Sequence, residues 1–223
     1  MYEVDIFFIH APDPKSPLPE ALEGINAAYN AGHFARFGLS NYMPEDVQAI
    51  YDHCKQKGYV LPSVYQGLYS AVSRKPDTVL FPTLRKLGIA YYAYSPVAGG
   101  FLTKTKQEVL DGAGRMDPST SVGGLYNKLY NKPAYLDALA QWEQIANDAG
   151  CSRADLANRW VKYNSPLKKE HGDALIIGAR SQDMLKETLK GLQAGPLSDE
   201  VTKRIDGIWK LVEHEALLDV MNG

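Results

Sequence analysis

Short apolar runs recur along the first half of this chain, at residues 4–9, 34–39, 59–65 and 89–94. Each is rich in β-branched and aromatic residues, and segments with helical apolar spacing fill the gaps between them. The interval, roughly 25 to 30 residues, is that of a strand–helix–strand unit. A chain of such units runs its consecutive strands parallel and keeps its helices outside the sheet. The first run, Ile6-Phe7-Phe8-Ile9, shows no apolar–polar alternation, so it reads as a strand buried on both faces. A fifth run over 173–178, Asp-Ala-Leu-Ile-Ile-Gly, reads the same way. The expectation is an α/β fold with five parallel strands in a single domain, residues 1–223.

Glycine and proline mark the boundaries. Residues 20–31 carry apolar side chains at 21, 22, 25, 28 and 29, and Gly32 is a natural stop. Pro44 falls in the first turn of a helix over 44–57 that Gly58 closes, and a third helix over 80–86 ends at Gly88. Beyond Pro96 the rhythm breaks. Residues 97–133 include Gly99-Gly100, Gly112, Gly114, Pro118 and Gly123-Gly124, and they read as a long functional or disordered loop. Helical patterns return at 133–149, 152–163, 181–192 and 197–218.

Composition narrows the partners. A formal net charge of -2 gives no electrostatic footprint for nucleic acid or an anionic membrane. No apolar run approaches the length of about 18 residues that a membrane span needs. No basic segment followed by an apolar stretch marks a signal peptide. Cys54 and Cys151 lie in separate helical patterns, without Cys-x-x-Cys or Cys/His ligand spacing. That argues against a zinc site or a disulfide framework, and for a reducing, cytoplasmic setting.

The strand ends share a chemical character. They are His10, Ser40-Asn41, Gln66, Tyr94-Ser95 and Gly178. In parallel α/β folds the C-terminal ends of the strands carry the ligand. Singly, each residue has a plainer role. A histidine after an apolar strand is more often a hydrogen-bonded structural residue than a catalyst, and Ser-Asn or Gln at a strand end is ordinary turn chemistry. Together they suit a nicotinamide dinucleotide. Asn and Gln match a carboxamide in donors and acceptors, Tyr94 offers a ring for stacking, and Gly99-Gly100 lets backbone N–H groups approach a phosphate. Gly178-Ala179-Arg180-Ser181 opens a helix, whose first N–H groups favour an anion. There is no Gly-x-Gly-x-x-Gly fingerprint, so the site is not of the Rossmann kind.

Longer stretches carry a resemblance. Residues 5–13 (Asp-Ile-Phe-Phe-Ile-His-Ala-Pro-Asp), 38–42 (Gly-Leu-Ser-Asn-Tyr), 64–67 (Val-Tyr-Gln-Gly) and 92–100 (Tyr-Ala-Tyr-Ser-Pro-Val-Ala-Gly-Gly) resemble the aldo-keto reductases, in particular the aflatoxin-aldehyde-reductase branch. Residues 171–178 and Gly195-Pro196-Leu197 are similar to the same branch, and the likeness runs through nearly the whole chain in order. It implies a (β/α)8 barrel of the TIM type that binds extended NADP(H) and reduces aldehydes or ketones. By position, His10 resembles the histidine that orients the carbonyl, and Ser40, Asn41 and Gln66 resemble the residues that hold the carboxamide. Tyr94 resembles the ring stacked on the nicotinamide. Ser95, Pro96, Val97, Gly99, Gly100 and Leu102 resemble the pyrophosphate lining, with Lys104 and Arg115 beside it. Gly178, Ala179, Arg180, Ser181 and Glu187 resemble the adenosine and 2′-phosphate end. Thr188 stands where the family often has Asn, and Met184 where it often has a basic residue, which leaves Arg180 as the compensating cation.

The family's proton donor resembles a Tyr whose pKa a neighbouring Lys lowers, with an Asp behind the Lys. Only nine residues precede His10, none is Lys, and Tyr2 stands before the first strand rather than at its tip. The resemblance thus implies an incomplete barrel, strands four to eight. Three absent units of about 30 residues each would account for the rest. Two functions follow as expectations. One is an N-terminally truncated NADPH-dependent reductase, weak or inactive alone. The other is a non-enzymatic dinucleotide-binding or regulatory subunit, with an oligomer or a complementing chain covering its open strand edges.

Overall fold

Proline starts and glycine ends the early helices, and the strands fall between them. The computed structural model describes residues 4–219 and 221; residues 1–3, 220, 222 and 223, Tyr2 among them, lie outside the described residues. In chain order come β1 (Val4–Ile9), α1 (Leu18–Asn30), β2 (Phe34–Ser40), α2 (Pro44–Lys57) and β3 (Pro62–Leu68). Pro44 sits in the first turn of α2, where its missing N–H forfeits no helical bond. Gly58 ends that helix at φ 68°, a left-handed conformation that a Cβ would oppose. Next are α3 (Pro76–Val79), α4 (Phe81–Leu87), β4 (Ala90–Tyr94), α5 (Lys106–Leu110), α6 (Ser121–Tyr130), α7 (Pro133–Asp148) and α8 (Arg153–Arg159). β5 (Ala174–Leu175), α9 (Gln182–Leu192) and α10 (Asp199–Val212) follow. The strands stand in the sheet in chain order, β1 to β5, and the β1–β2 and β2–β3 pairs are parallel. Among the described residues no helix is long and apolar enough to cross a membrane.

Two compact units divide the chain. The first comprises Met1–Gly67, Asp77–Tyr92 and Lys168–Asp173. Its core gathers Phe37 and Leu39 of β2, Val64 and Tyr65 of β3, Leu84 of α4, and Val47, Ile50 and Cys54 of α2, all buried. The α2 residues recur at helical spacing and so form one face. Each such aliphatic side chain contributes about 1.5–3 kcal/mol by leaving water. The carboxylate of Asp173 is buried yet fully paired. Arg85 donates to both its oxygens (2.9 and 2.6 Å), and the Tyr91 and Lys168 N–H groups donate one bond each (2.8 and 2.8 Å).

The second unit comprises Leu68–Pro76, Ala93–Leu167 and Ala174–Gly223. Its core is aromatic. Phe101 stacks on Tyr130 with ring centroids 5.2 Å apart, and Tyr69 stacks on Trp160 at 5.9 Å. The guanidinium of Arg74 lies 4.0 Å from the Trp160 ring centre, and its Nη1 donates to Asp206 Oδ1 of α10 at 2.7 Å.

Several expectations change. β1 is not buried on both faces: Val4 is 54% and Phe7 42% exposed, and no residue of the strand is buried. It bonds β2 on one side and, among the described residues, has no strand on the other, so its apolar run reflects strand propensity rather than two-sided burial. β5 is two residues long and half-buried. After the Ile176 N–H donates to Ala93 O at 2.8 Å, residues 176–179 form no regular element, so Gly178 is not a strand tip. β3 begins at Pro62 rather than at 59 and carries Gln66 inside it. The stretch 97–133 is no open loop. It holds α5, α6 and two short 3-10 turns, Ala98–Thr103 and Gly114–Met116. Thr105 and Glu108 cap α5 reciprocally, and the Thr120 hydroxyl accepts from the Gly123 N–H at the start of α6. The last helix stops at Val212, followed by a 3-10 turn at Glu213–Glu215.

Candidate functional site

In the first unit, register brings four of the singled-out residues together. Ile9 lies opposite Leu39 and Ser40 opposite Gln66, so His10, Ser40 and Gln66 occupy neighbouring positions across three parallel strands, after the end of β1, at the end of β2 and two residues before the end of β3. Asn41 follows β2 with φ 60°, a left-handed conformation that non-glycine residues adopt at a cost. Its Nδ2 donates to the backbone oxygen of His10 at 2.7 Å and to Ser40 Oγ at 3.1 Å. The turn is therefore held from inside, with Ser40 and Asn41 buried and the His10 ring exposed. Among the described residues that ring makes no hydrogen bond, which leaves both its nitrogens for a ligand. Next to them, Tyr42 is braced by Tyr65, whose hydroxyl accepts from the Tyr42 N–H at 3.0 Å and donates to the Tyr42 carbonyl at 2.8 Å. Burial pushes the Tyr42 phenol pKa up, and the charges of Asp46 and Asp13 push it further.

The second unit holds a cavity of about 710 Å³. Tyr94, Ser95, Pro96, Val97, Gly99 and Gly100 form one side of its lining. Lys104 and Arg115 line it too, as do Gly178, Ala179 and Arg180. Three cations thus face this space, no carboxylate lines it, and none of the three forms an ion pair among the described residues. Such a concavity attracts anions. The backbone stores strain beside it: Ser95 and Ala98 have φ 57° and 52°. Gly99 is required by more than its φ of 66°. A Cβ there would run into the ring of Tyr126, over which the Arg115 guanidinium sits at 6.0 Å. Burial raises the Tyr94 pKa, helped by the charge of Asp219 and by Tyr126, so the ring stays neutral and suited to stacking.

Other singled-out residues lie elsewhere. Leu102 is buried in the core and does not line the cavity. The Ser181 hydroxyl caps α9, accepting from the Met184 N–H at 3.2 Å, and Glu187 is exposed outside the lining. The Gly100 N–H is already spent on Val97 O at 3.0 Å, so it is not the donor that the Gly-Gly turn suggested. Conversely, Thr103, Ala154, Asn158, Ile176 and Ile177 line the cavity without having been singled out, alongside Met184 and Thr188. Asn158 carried the one legible signal, an amide side chain inside a helical pattern where it is a weak helix former. Its side chain is buried, and among the described residues its Oδ1 has no hydrogen-bond partner.

A family model described as the aldo/keto reductase family matches residues 2–210. Among curated proteins, the chain is 38% identical to Oxidoreductase sirO of Leptosphaeria maculans over 214 residues, covering 96% of this chain and 65% of that protein. It is 38% identical to an aldo-keto reductase of Pseudocercospora fijiensis, covering 94% and 72%. It is also 38% identical to human aflatoxin B1 aldehyde reductase member 4, covering 95% and 66%. The chain therefore spans about two thirds of the length of these relatives.

Proposed function

The chain belongs to the aldo/keto reductase family, and from that premise we propose that its residues serve NADP(H)-dependent reduction of an aldehyde or ketone to the alcohol. The observation that carries the reading is the charge of the second unit's cavity. Among the described residues Lys104, Arg115 and Arg180 line it without an ion pair and with no lining carboxylate beside them, as suits a phosphate-rich cofactor. In this reading Ser95, Pro96, Val97, Gly99 and Lys104 take the pyrophosphate, Gly178, Ala179 and Arg180 take the adenosine end, and Arg180 stands in for the basic side chain that Met184 does not supply. Tyr94 stacks on the nicotinamide, and Ser40, Asn41 and Gln66 hold its carboxamide. The continuous match over residues 2–210 supports treating the chain as one reductase domain, its five strands being consecutive strands of a (β/α)8 barrel.

Bound NADPH supplies the hydride. His10, whose ring makes no hydrogen bond among the described residues, would donate to the carbonyl oxygen and fix the carbonyl's orientation. The proton for the developing alkoxide is the weak point. Tyr42 and Tyr94 both have phenols shifted upward, the reverse of what a donor near neutrality needs. We therefore expect the 223-residue chain alone to bind cofactor but to turn over slowly, because general acid catalysis is worth about 10²- to 10⁴-fold. The same observation favours a second reading, a dinucleotide-binding partner subunit without catalysis of its own.

NADPH fluorescence titration tests the first claim. Saturable binding is expected, weakening with salt and falling about tenfold in Arg180→Ala. A titration with no saturable change overturns the cofactor reading. Rapid reduction of a test aldehyde by the purified chain overturns the account of the proton donor.

A further inference from the structure

Tyr42 lies outside regular structure, between β2, which ends at Ser40, and α2, which begins at Pro44, and it is buried. A buried peptide group with no helix or sheet around it needs partners from elsewhere. One side chain supplies both. The Tyr65 hydroxyl accepts from the Tyr42 N–H at 3.0 Å and donates to the Tyr42 carbonyl at 2.8 Å. Tyr65 stands opposite Leu39 in the β2–β3 ladder, one residue before Gln66, and its ring stacks on Tyr91. Phenylalanine would fill the same volume and stack as well, so packing does not account for the hydroxyl.

The clamp falls on the residue after Asn41. A left-handed residue keeps its conformation only where the surrounding structure holds it. Before Asn41, Ser40 is fixed opposite Gln66 in the ladder; after it, Tyr65 fixes the backbone of Tyr42. Held on both sides, the Asn41 amide is aimed at the His10 carbonyl, 2.7 Å away, and at Ser40 Oγ, 3.1 Å away. Building on the cofactor reading above, in which this turn serves the nicotinamide end, we propose that Tyr65 is a positioning residue. Its hydroxyl fixes the Asn41 turn through the backbone of Tyr42, and with the turn the placement of His10 and of the carboxamide-holding pair Ser40 and Asn41. It acts through that turn rather than on the ligand.

The test uses the full chain below the Tm of every variant, with NADPH and 2′,5′-ADP as probes. Tyr65→Phe keeps the ring and its stack and deletes both hydrogen bonds. NADPH affinity is expected to fall about tenfold, while 2′,5′-ADP, which lacks the nicotinamide, binds as to the wild type. A second readout needs no ligand. The His10 ring signal in proton–carbon NMR, identified by its loss in His10→Gln, should move in Tyr65→Phe while those of the other histidines hold. A merely structural role lowers Tm and produces neither pattern. Should Tyr65→Phe not fold, Gly67→Ala displaces the stack behind the hydroxyl without deleting it, and it is read by the same outcomes. Wild-type NADPH affinity, or an unmoved His10 signal, overturns the inference and leaves the cofactor reading standing. So does an equal loss for both probes, which marks general distortion. A wild-type chain that binds neither probe overturns both.

Discussion

Gly67 has an ordinary place in β3, yet no other residue fits it. A Cβ there would overlap the hydroxyl of Tyr91. Tyr91 stacks on Tyr65 with ring centroids 5.8 Å apart, and Tyr65 braces the backbone of Tyr42. Tyr42 follows Asn41, which holds the His10 carbonyl. A methyl group at Gly67 is therefore passed along stacked rings to the turn behind the candidate catalytic histidine. Gly67→Ala is expected to lower stability by about 1 to 3 kcal/mol in urea unfolding, as overpacking in a filled core does. Circular dichroism melts of variant and wild type check it. The residue types at this site were legible from the sequence, because turn-forming polar residues follow each apolar run. The left-handed conformations of Ser95 and Ala98 were not, since neither residue type favours that region, whereas Asn41 is of a type that enters it more readily.

Among the elements, α2 shows what burial does to a thiol. Cys54 is the last of its buried face, after Val47 and Ile50, and burial pushes its pKa from 9.0 to about 11. A raised pKa in the folded state means that stability is fully present below the unfolded value and falls as pH rises toward the folded one. The unfolded chain releases its proton near 9 while the folded chain still holds it. Over that window the folded state should lose up to about 2 to 3 kcal/mol. Cys54→Val should flatten this part of the Tm-versus-pH curve between pH 9 and 11, and an undiminished slope in the variant would assign it to other groups. α2 was read correctly at both ends because proline and glycine act locally. β5 was not, because a strand's length depends on a neighbour to bond with, and sequence periodicity carries no record of one. For 97–133, the Thr105-Lys106-Gln107-Glu108 capping box was available as a signal, but the many glycines around it masked helices of only one to three turns.

At the scale of the whole chain, the parallel α/β order and the family were legible because they rest on patterns repeated along the sequence. The division into two units was not, since each unit is assembled from three separate stretches. Arg74 shows what such assembly demands. Its Nε donates to Ala71 O at 2.9 Å, and its Nη2 reaches Ile205 O at 3.3 Å. Nη1 bonds Asp206, while the rings of Trp160 and Trp209 lie 4.0 and 5.9 Å away. Lysine keeps the charge but not the planar fork, so Arg74→Lys should cost about 2 kcal/mol, read as a lower urea midpoint at unchanged m-value. Asp206 lies 132 residues after Arg74. At a synthesis rate of about 5–20 residues per second, the guanidinium emerges roughly seven seconds or more before its carboxylate. Trp160 emerges 46 residues before Asp206, so for the last part of that interval the half-made second unit carries both Arg74 and the ring it lies over without the carboxylate that pairs the charge.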